Sequence, residues 1–152
     1  RAQHVGELIR PALQRGAIVI SDRFAESTMA YQGYGRELDL DALRQITAFA
    51  TGGLQPDLVV YLDLDVATGL ARKRRDQLAG LGEWNRMDQQ TLEFHERVHK
   101  GYLTMAAESP ERWLTVDASR SVDAIHATVL ARVEALLTSS TVGAQHAPEC
   151  AQ

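Results

Sequence analysis

The sequence predicts an α/β fold, a parallel sheet flanked by helices, and three observations predict it. Short apolar, strand-like runs stand at Ala17–Ile20, Leu58–Asp63 and Trp113–Val116. Each is followed by a segment with apolar residues at helical spacing. The second run is nearly continuous in apolar residues, as expected of a strand covered on both faces.

The elements follow in order. Val5, Leu8, Ile9 and Leu13 recur at helical spacing, past Pro11, until Gly16 stops the pattern. Ala17–Ile20, bounded by Gly16 and Ser21-Asp22, reads as a buried strand. Ser27–Gln32 predicts a short helix that runs into the glycine-rich turn Tyr31–Arg36. Asp39 or Asp41 caps the next helix, with Leu43, Ile46 and Phe49 on one face and Gly52-Gly53 at its end. Pro56-Asp57 introduces the second strand, and Val66–Arg75 returns to helix.

Ala79–Asn85 carries Gly80 and Gly82 without periodicity and predicts a loop. Asp88 is expected to cap a long helix that turns Leu92, His95, Val98, Tyr102 and Met105 to the core. After the third strand, Ser121 opens a last helix through Val129, Val133 and Leu136. Ser, Thr, Gly, Pro and Ala dominate from Ser139, so 1–138 is expected to form one domain and 139–152 a disordered tail.

The bulk composition removes several function classes. A net charge of −4 gives no basic footprint for nucleic acid. No apolar run approaches a membrane span, and the opening Arg1-Ala2-Gln3-His4 is no signal segment. The single cysteine, Cys150, excludes an internal disulfide framework. A cytoplasmic protein is the expectation. The uncapped helical stretch at Arg1, with no initiator methionine, is expected of a piece of a longer chain.

In open α/β sheets, ligands bind at the carboxyl ends of the strands. Here these ends read Ser21-Asp22-Arg23, Asp63-Leu64-Asp65 and Asp117-Ala118-Ser119. Each alone reads equally as a strand meeting solvent; three together favour a site. An Asp beside an Arg suits Mg²⁺ and phosphate, because the carboxylate takes the cation and the guanidinium grips phosphate oxygens in pairs.

The run Arg72-Lys73-Arg74-Arg75, with Arg86 beyond the loop, is either a solvated helix end or a lid whose arginines close over a phosphoryl group. His4, His95, His99, His126 and His146 show no metal-ligand grouping, and His126 reads as a helix-surface residue. Ser27 has no His–Asp arrangement for nucleophilic catalysis, and Trp84 and Trp113 read as packing residues.

Taken together, several of these motifs carry a resemblance. Ile20–Phe24, Ser27-Thr28, Ala30–Gly33 and Gly35-Arg36 resemble the DR(Y/F)…S…AYQG.GR signature of thymidylate kinases. Arg1–Val5 with Ile9, Pro11–Leu13 and Gly16 is similar to the helix upstream of it in that family. Pro56–Leu58 through Leu62-Asp63, Gly69–Arg72, Asn85–Asp88, Phe94-His95 with Val98, Gly101-Tyr102, and Val116–Ser119 continue the likeness to about Leu137.

The resemblance implies a nucleoside monophosphate kinase fold of the P-loop type and the reaction ATP + dTMP → ADP + dTDP, in dTTP biosynthesis. It implies Arg23 on the dTMP phosphate, with Asp22 beside it near Mg²⁺, and Arg1 on the thymine ring. Thr28, Tyr31 and Gln32, with Ser27 beside them, would line the base and sugar pocket. The Tyr31 ring under the deoxyribose would disfavour a 2′-hydroxyl. Arg72, Arg74 and Arg86 match lid arginines that reach the transferred phosphate, and Ala118 and Ser119 fall where adenine lies. A homodimer through helices beside the sheet is also implied.

The sequence departs from the family pattern in three ways. The lid, 76–85, is several residues longer than usual. Asn85 and Asp88 stand where Asp and Glu are common, which is expected to weaken the hold on Arg86. No G-x-x-x-x-G-K-[ST] occurs anywhere in the sequence, so the loop whose amides cradle ATP phosphates is missing. In the family's strand order, 2-3-1-4-5, the strand bearing that loop lies between those at Ala17 and Leu58, which are thus expected to lack a common neighbour. The 152 residues alone are accordingly expected to be inactive and poorly folded. The alternative is a degenerate, non-catalytic nucleotide-binding or interaction module of the same family.

Overall fold

The computed structural model describes residues 1–83 and 85–144. The first helix, α1, is built from three consecutive pieces: Ala2–His4, a π-helical Val5–Ile9 and Arg10–Gln14. Helix α2 is an α-helical turn, Ala25–Thr28, continued by the π-helical Met29–Gly35. Then come α3 (Leu40–Thr51), β1 (Val59–Asp63), α4 (Val66–Leu78), α5 (Leu92–Glu108), β2 (Trp113–Asp117) and α6 (Val122–Ala144). Strands β1 and β2 pair in parallel, from Val59 opposite Trp113 to Asp63 opposite Asp117. The Ala118 amide extends the ladder by donating to the Asp63 carbonyl at 2.7 Å. The long β1–β2 connection through α4 and α5 is what a parallel pair requires.

Local chemistry sets most element ends. Asp39, not Asp41, caps α3, its carboxylate accepting from the Asp41 and Ala42 amides, and Gly52 closes the helix in the left-handed conformation at φ 57°. Asp65 caps α4, which runs three residues beyond the expected Arg75. The cap of α5 is Thr91, which accepts from the Phe94 amide, rather than Asp88. Asp88 lies too far upstream and is engaged elsewhere. Helix α6 continues through Ala144, six residues into the segment expected to be a tail; 145–152 lie outside the described residues, as does Trp84.

The expected strand at Ala17–Ile20 does not form among the described residues, where the sheet has two strands. Ile18 is 66% exposed and Ile20 92% exposed. A strand needs a neighbour to satisfy its backbone, and no described strand lies beside this run. Strand β1 likewise has β2 on one edge and no described strand on the other, with Leu62 52% exposed.

The core lies where α2 meets α5. Ala30, Phe94 and Val98 are buried there, with Tyr31, Met87, Tyr102 and Met105 packed around them. Two glycines allow this close approach. A Cβ on Gly35 would stand 2.7 Å from both Phe94 and Val98, and one on Gly101 would stand 2.5 Å from the Tyr34 ring. Arg97 fastens the same interface by donating to the Gly35 carbonyl from Nε at 3.1 Å and from a terminal nitrogen at 2.9 Å.

Helix α3 keeps Leu43 of the expected face half-buried but turns the rest of that face outward. Thr47 and Thr51 are buried, while Ile46 and Phe49 are exposed. Its contacts explain this, since α3 packs against α2 and the start of the chain, with Arg10 donating to the Thr51 and Gly52 carbonyls. No helix of the described residues is long and apolar enough to cross a membrane.

Candidate functional site

An aromatic relay runs from the sheet to α2. Tyr61 on β1 stacks on Tyr102 of α5 with ring centroids 4.8 Å apart and planes 16° apart. Tyr102 then meets Tyr31 edge to face at 6.4 Å, and Trp113 borders it from β2 at 6.4 Å. Phe94 tilts against Tyr31 at 6.3 Å. Rings in such offset and edge contacts hold each other's orientation. Burial pushes the pKa of both the Tyr61 and the Tyr102 phenols up, so they remain neutral donors near pH 7. Ser27 and Tyr102 share a hydroxyl hydrogen bond of 3.1 Å, which ties the start of α2 to α5.

Two arginines gather on this platform. The Arg23 guanidinium sits 5.2 Å from the Tyr31 ring centre, within cation–π range. Burial opposes its charge, but the oxygens of Tyr31 and Tyr102 and the Asp22 carboxylate outweigh it and push the Arg23 pKa up. Arg1 donates to the Phe24 carbonyl at 3.1 Å and lies over the Phe24 ring at 5.9 Å. Ser21 closes the turn beneath, its hydroxyl donating to the Arg23 carbonyl at 2.8 Å. Asp22 is exposed, while Ser27, Thr28, Tyr31 and Gln32 are half-buried. The structure thus brings Arg1, Asp22, Arg23, Ser27 and Tyr31 into one neighbourhood, with Thr28 and Gln32 on the same helix.

The other strand ends separate into different roles. Asp63 meets His99 Nε2 at 2.6 Å across β1 and α5. Asp65 spends its carboxylate on the α4 cap, accepting from the Thr68 amide at 2.9 Å and hydroxyl at 3.0 Å. Asp117 holds its own turn, accepting from the Ser119 amide at 2.8 Å and hydroxyl at 2.6 Å. These Ser119 hydrogen bonds lower the Asp117 pKa, as the Thr68 bonds lower that of Asp65. Two of the carboxylates at these ends therefore serve local structure.

Arg72 reaches the Ala118 carbonyl at 3.5 Å, which joins two candidates that the sequence kept apart. Arg75 lies 3.5 Å from Asp76. Among the described residues, the guanidinium groups of Arg74 and Arg86 have no hydrogen-bond or ion-pair partner, and both are exposed. No group of three or more His, Cys, Asp or Glu side chains that could hold a metal occurs among the described residues. An exposed single carboxylate such as Asp22 could supply at most one or two oxygens to a hard cation, whose other ligands would have to come from elsewhere.

Sequence reasoning missed the Asp63–His99 and Lys73–Asp88 pairs, the latter 2.7 Å long. Asp63 and His99 are 36 residues apart, and no local spacing signals such a partner. His126 is on the helix surface, as expected.

Comparison with known proteins gives a consistent answer. The family model for thymidylate kinase matches residues 1–129. The thymidylate kinase of Roseiflexus sp. (strain RS-1) is 51% identical over 148 residues, covering 93% of this chain and 66% of that relative. That of Roseiflexus castenholzii is 50% identical, covering 91% of this chain and 64% of the relative. The crystal structure of thymidylate kinase from Ehrlichia chaffeensis superposes with a TM-score of 0.56 at 28% identity, over 76% of this chain and 51% of that one. The chain thus spans about two thirds of the length of these curated relatives. With the parallel α/β pattern and the motif residues gathered around Tyr31, the match is specific: the chain belongs to the thymidylate kinase family.

Proposed function

We propose that this chain carries the acceptor half of a kinase that transfers the γ-phosphoryl group of ATP to dTMP, giving dTDP for dTTP synthesis in the cytoplasm. The observation that carries the reading is the Arg23 guanidinium laid over the Tyr31 ring, with Arg1 fastened beside it on Phe24. A phosphate placed on Arg23 puts the attached sugar against Tyr31, where a flat ring disfavours an added 2′-hydroxyl. Thr28 and Gln32 would flank the base with Arg1, and Ser27 would hold the wall through Tyr102.

Little covalent chemistry is needed from a protein in phosphoryl transfer; positioning and charge neutralisation dominate. Arg23 stays charged and orients the acceptor phosphate. The unpartnered Arg74 and Arg86 are free to neutralise charge that develops on the moving group. Arg72, drawn to Ala118, would border the adenine with Ser119. Mg²⁺ would be held by Asp22 together with nucleotide phosphates, where it would neutralise phosphate charge.

A second reading is a degenerate, non-catalytic nucleotide-binding or interaction module of the same family. Titration calorimetry on this chain with dTMP, dUMP and dCMP, beside a coupled ADP-release assay, tests both. Preferential dTMP binding is expected, without turnover from this chain. Equal affinity for the three nucleotides overturns the acceptor assignment. A homodimer is proposed as well, supported by Ile46 and Phe49 on the outer face of α3, 64% and 91% exposed. Sedimentation of the protein at micromolar concentration checks it.

A further inference from the structure

Arg86 stands on a short turn beyond a glycine-containing loop, a poor place from which to aim a long side chain. Aiming such a side chain requires at least that its backbone be held in one conformation. The turn around it is tied from both ends. Asn85 Oδ1 accepts from the Met87 amide at 2.9 Å and from the Asp88 amide at 3.3 Å. In return, Asp88 Oδ2 accepts from the Asn85 amide at 2.8 Å. The second Asp88 oxygen, Oδ1, receives Lys73 Nζ at 2.7 Å.

Lys73 lies on α4 between Arg72 and Arg74, so one carboxylate joins the arginine-bearing helix to the turn that carries Arg86. The Asp88 side chain is 11% exposed and that of Lys73 42%, so the carboxylate end of the pair is shielded from solvent while the ammonium end is partly open. Met87, between the two ends, packs against the core of Phe94 and Val98 and anchors the turn from below. His95 is the other titratable group facing Asp88, and its Nε2 is buried without a hydrogen-bond partner.

We infer that Asp88 and Lys73 are positioning residues that clamp the turn carrying Arg86 and fix its separation from Arg72 and Arg74. The inference rests on the proposed phosphate-binding role of Arg86 for its purpose, but the clamp is measurable without nucleotide. Asn85 and Asp88 act here on the backbone of the turn and make no hydrogen bond to the Arg86 guanidinium. The shorter carboxylate has both oxygens engaged, and the Asn side chain takes two backbone amides that would otherwise be open.

Two further facts support the clamp's persistence near pH 7. Burial works against the Asp88 charge, but the Lys73 and Asn85 hydrogen bonds prevail and lower its pKa. Burial lowers the His95 pKa, so the imidazole is neutral and does not compete with Lys73 for the carboxylate.

The test is tryptic cleavage of the Arg86–Met87 bond in the full chain, followed by mass spectrometry, with cleavage after Arg112 as internal reference. Asp88→Asn is expected to raise cleavage after Arg86 roughly tenfold over the reference, the scale of a lost charged hydrogen bond. Lys73→Met should raise it by a smaller factor, Lys73→Arg should restore it, and the double variant should not exceed Asp88→Asn alone. In NMR, the Asn85 amide shift should titrate below the ordinary carboxylate pKa and move upward in Lys73→Met.

Unchanged cleavage in Asp88→Asn overturns the proposal, as does an equal rise after Arg86 and Arg112, which would mean general loosening. Additive effects of the two variants would also overturn it. Inorganic pyrophosphate supplies the separate control. If the clamp behaves as expected but pyrophosphate gives Arg86 no protection, the phosphate-ligand role fails and the clamp stands.

Discussion

The helix that carries Tyr31 and the apolar run just before it belong to one continuous motif, yet they differ sharply in burial. In α2, Ala30 is fully buried and Met29 is 8% exposed, while Ile20 is 92% exposed only nine residues earlier. Both segments are apolar, so hydrophobicity does not separate them. The difference is the neighbour. Helix α2 satisfies its backbone internally and finds α5 for its side chains. A strand must borrow half its hydrogen bonds from another strand, and none is described beside 17–20. The aromatic platform around Tyr31 is therefore built from contacts this chain makes with itself, and the strand run is not.

The largest test of that contrast is Arg23→Ala. Loss of a charge-assisted phosphate contact should weaken dTMP binding by about 1.5–3 kcal/mol, roughly ten- to a hundredfold, in calorimetry. Unchanged affinity would place the phosphate elsewhere. Next, Gly101→Ala sets a methyl 2.5 Å from the Tyr34 ring. Overpacking of about 1–3 kcal/mol should exceed the roughly 1 kcal/mol gained in helix propensity, so urea unfolding should shift to lower concentration. A stabilised variant would show that α2 and α5 are not in tight contact. Asp39→Ala removes the α3 cap and should cost about 1 kcal/mol by the same measurement.

A smaller effect concerns pH. Burial holds the His95 pKa below its ordinary 6.5, so the unfolded chain binds the proton more readily. Stability from the neutral imidazole is complete above pH 6.5 and is lost as pH falls toward the folded value. His95→Gln should flatten that part of the stability–pH curve; an unaltered slope would exclude His95 as its source. Smallest of all, Ile20→Ser should change stability by less than about 0.5 kcal/mol, because the side chain faces solvent. A larger loss would mean that the run is packed in solution and would erase the contrast.

Much of the fold was legible from residues a few positions apart. The Asp39 cap, the Gly52 stop, both paired strands and the loop after α4 follow from local spacing and turn chemistry. The platform was legible only as motif residues. Their recognition gave Arg1, Asp22, Arg23 and Tyr31 as a set, while the cation–π and aromatic contacts that join them come from α5 and the sheet. The Asp88 cap of α5 was misread because a carboxylate near a helix start has several available donors, and here Lys73 and the Asn85 amide take it while Thr91 caps instead.

By itself, then, the sequence determined most of the turns and helix ends, such as the Asp39 cap and the Gly52 stop, because those choices are made by hydrogen bonds within a few residues. It also identified the family, through motif residues whose order along the chain does not depend on packing. Only the tertiary structure decided that 17–20 joins no strand among the described residues, that α3 buries Thr47 and Thr51 instead of Ile46 and Phe49, and that Asp63, Asp88 and Arg72 find His99, Lys73 and Ala118. Those outcomes depend on which surfaces meet, and contacts between residues far apart in the chain leave no local spacing to read.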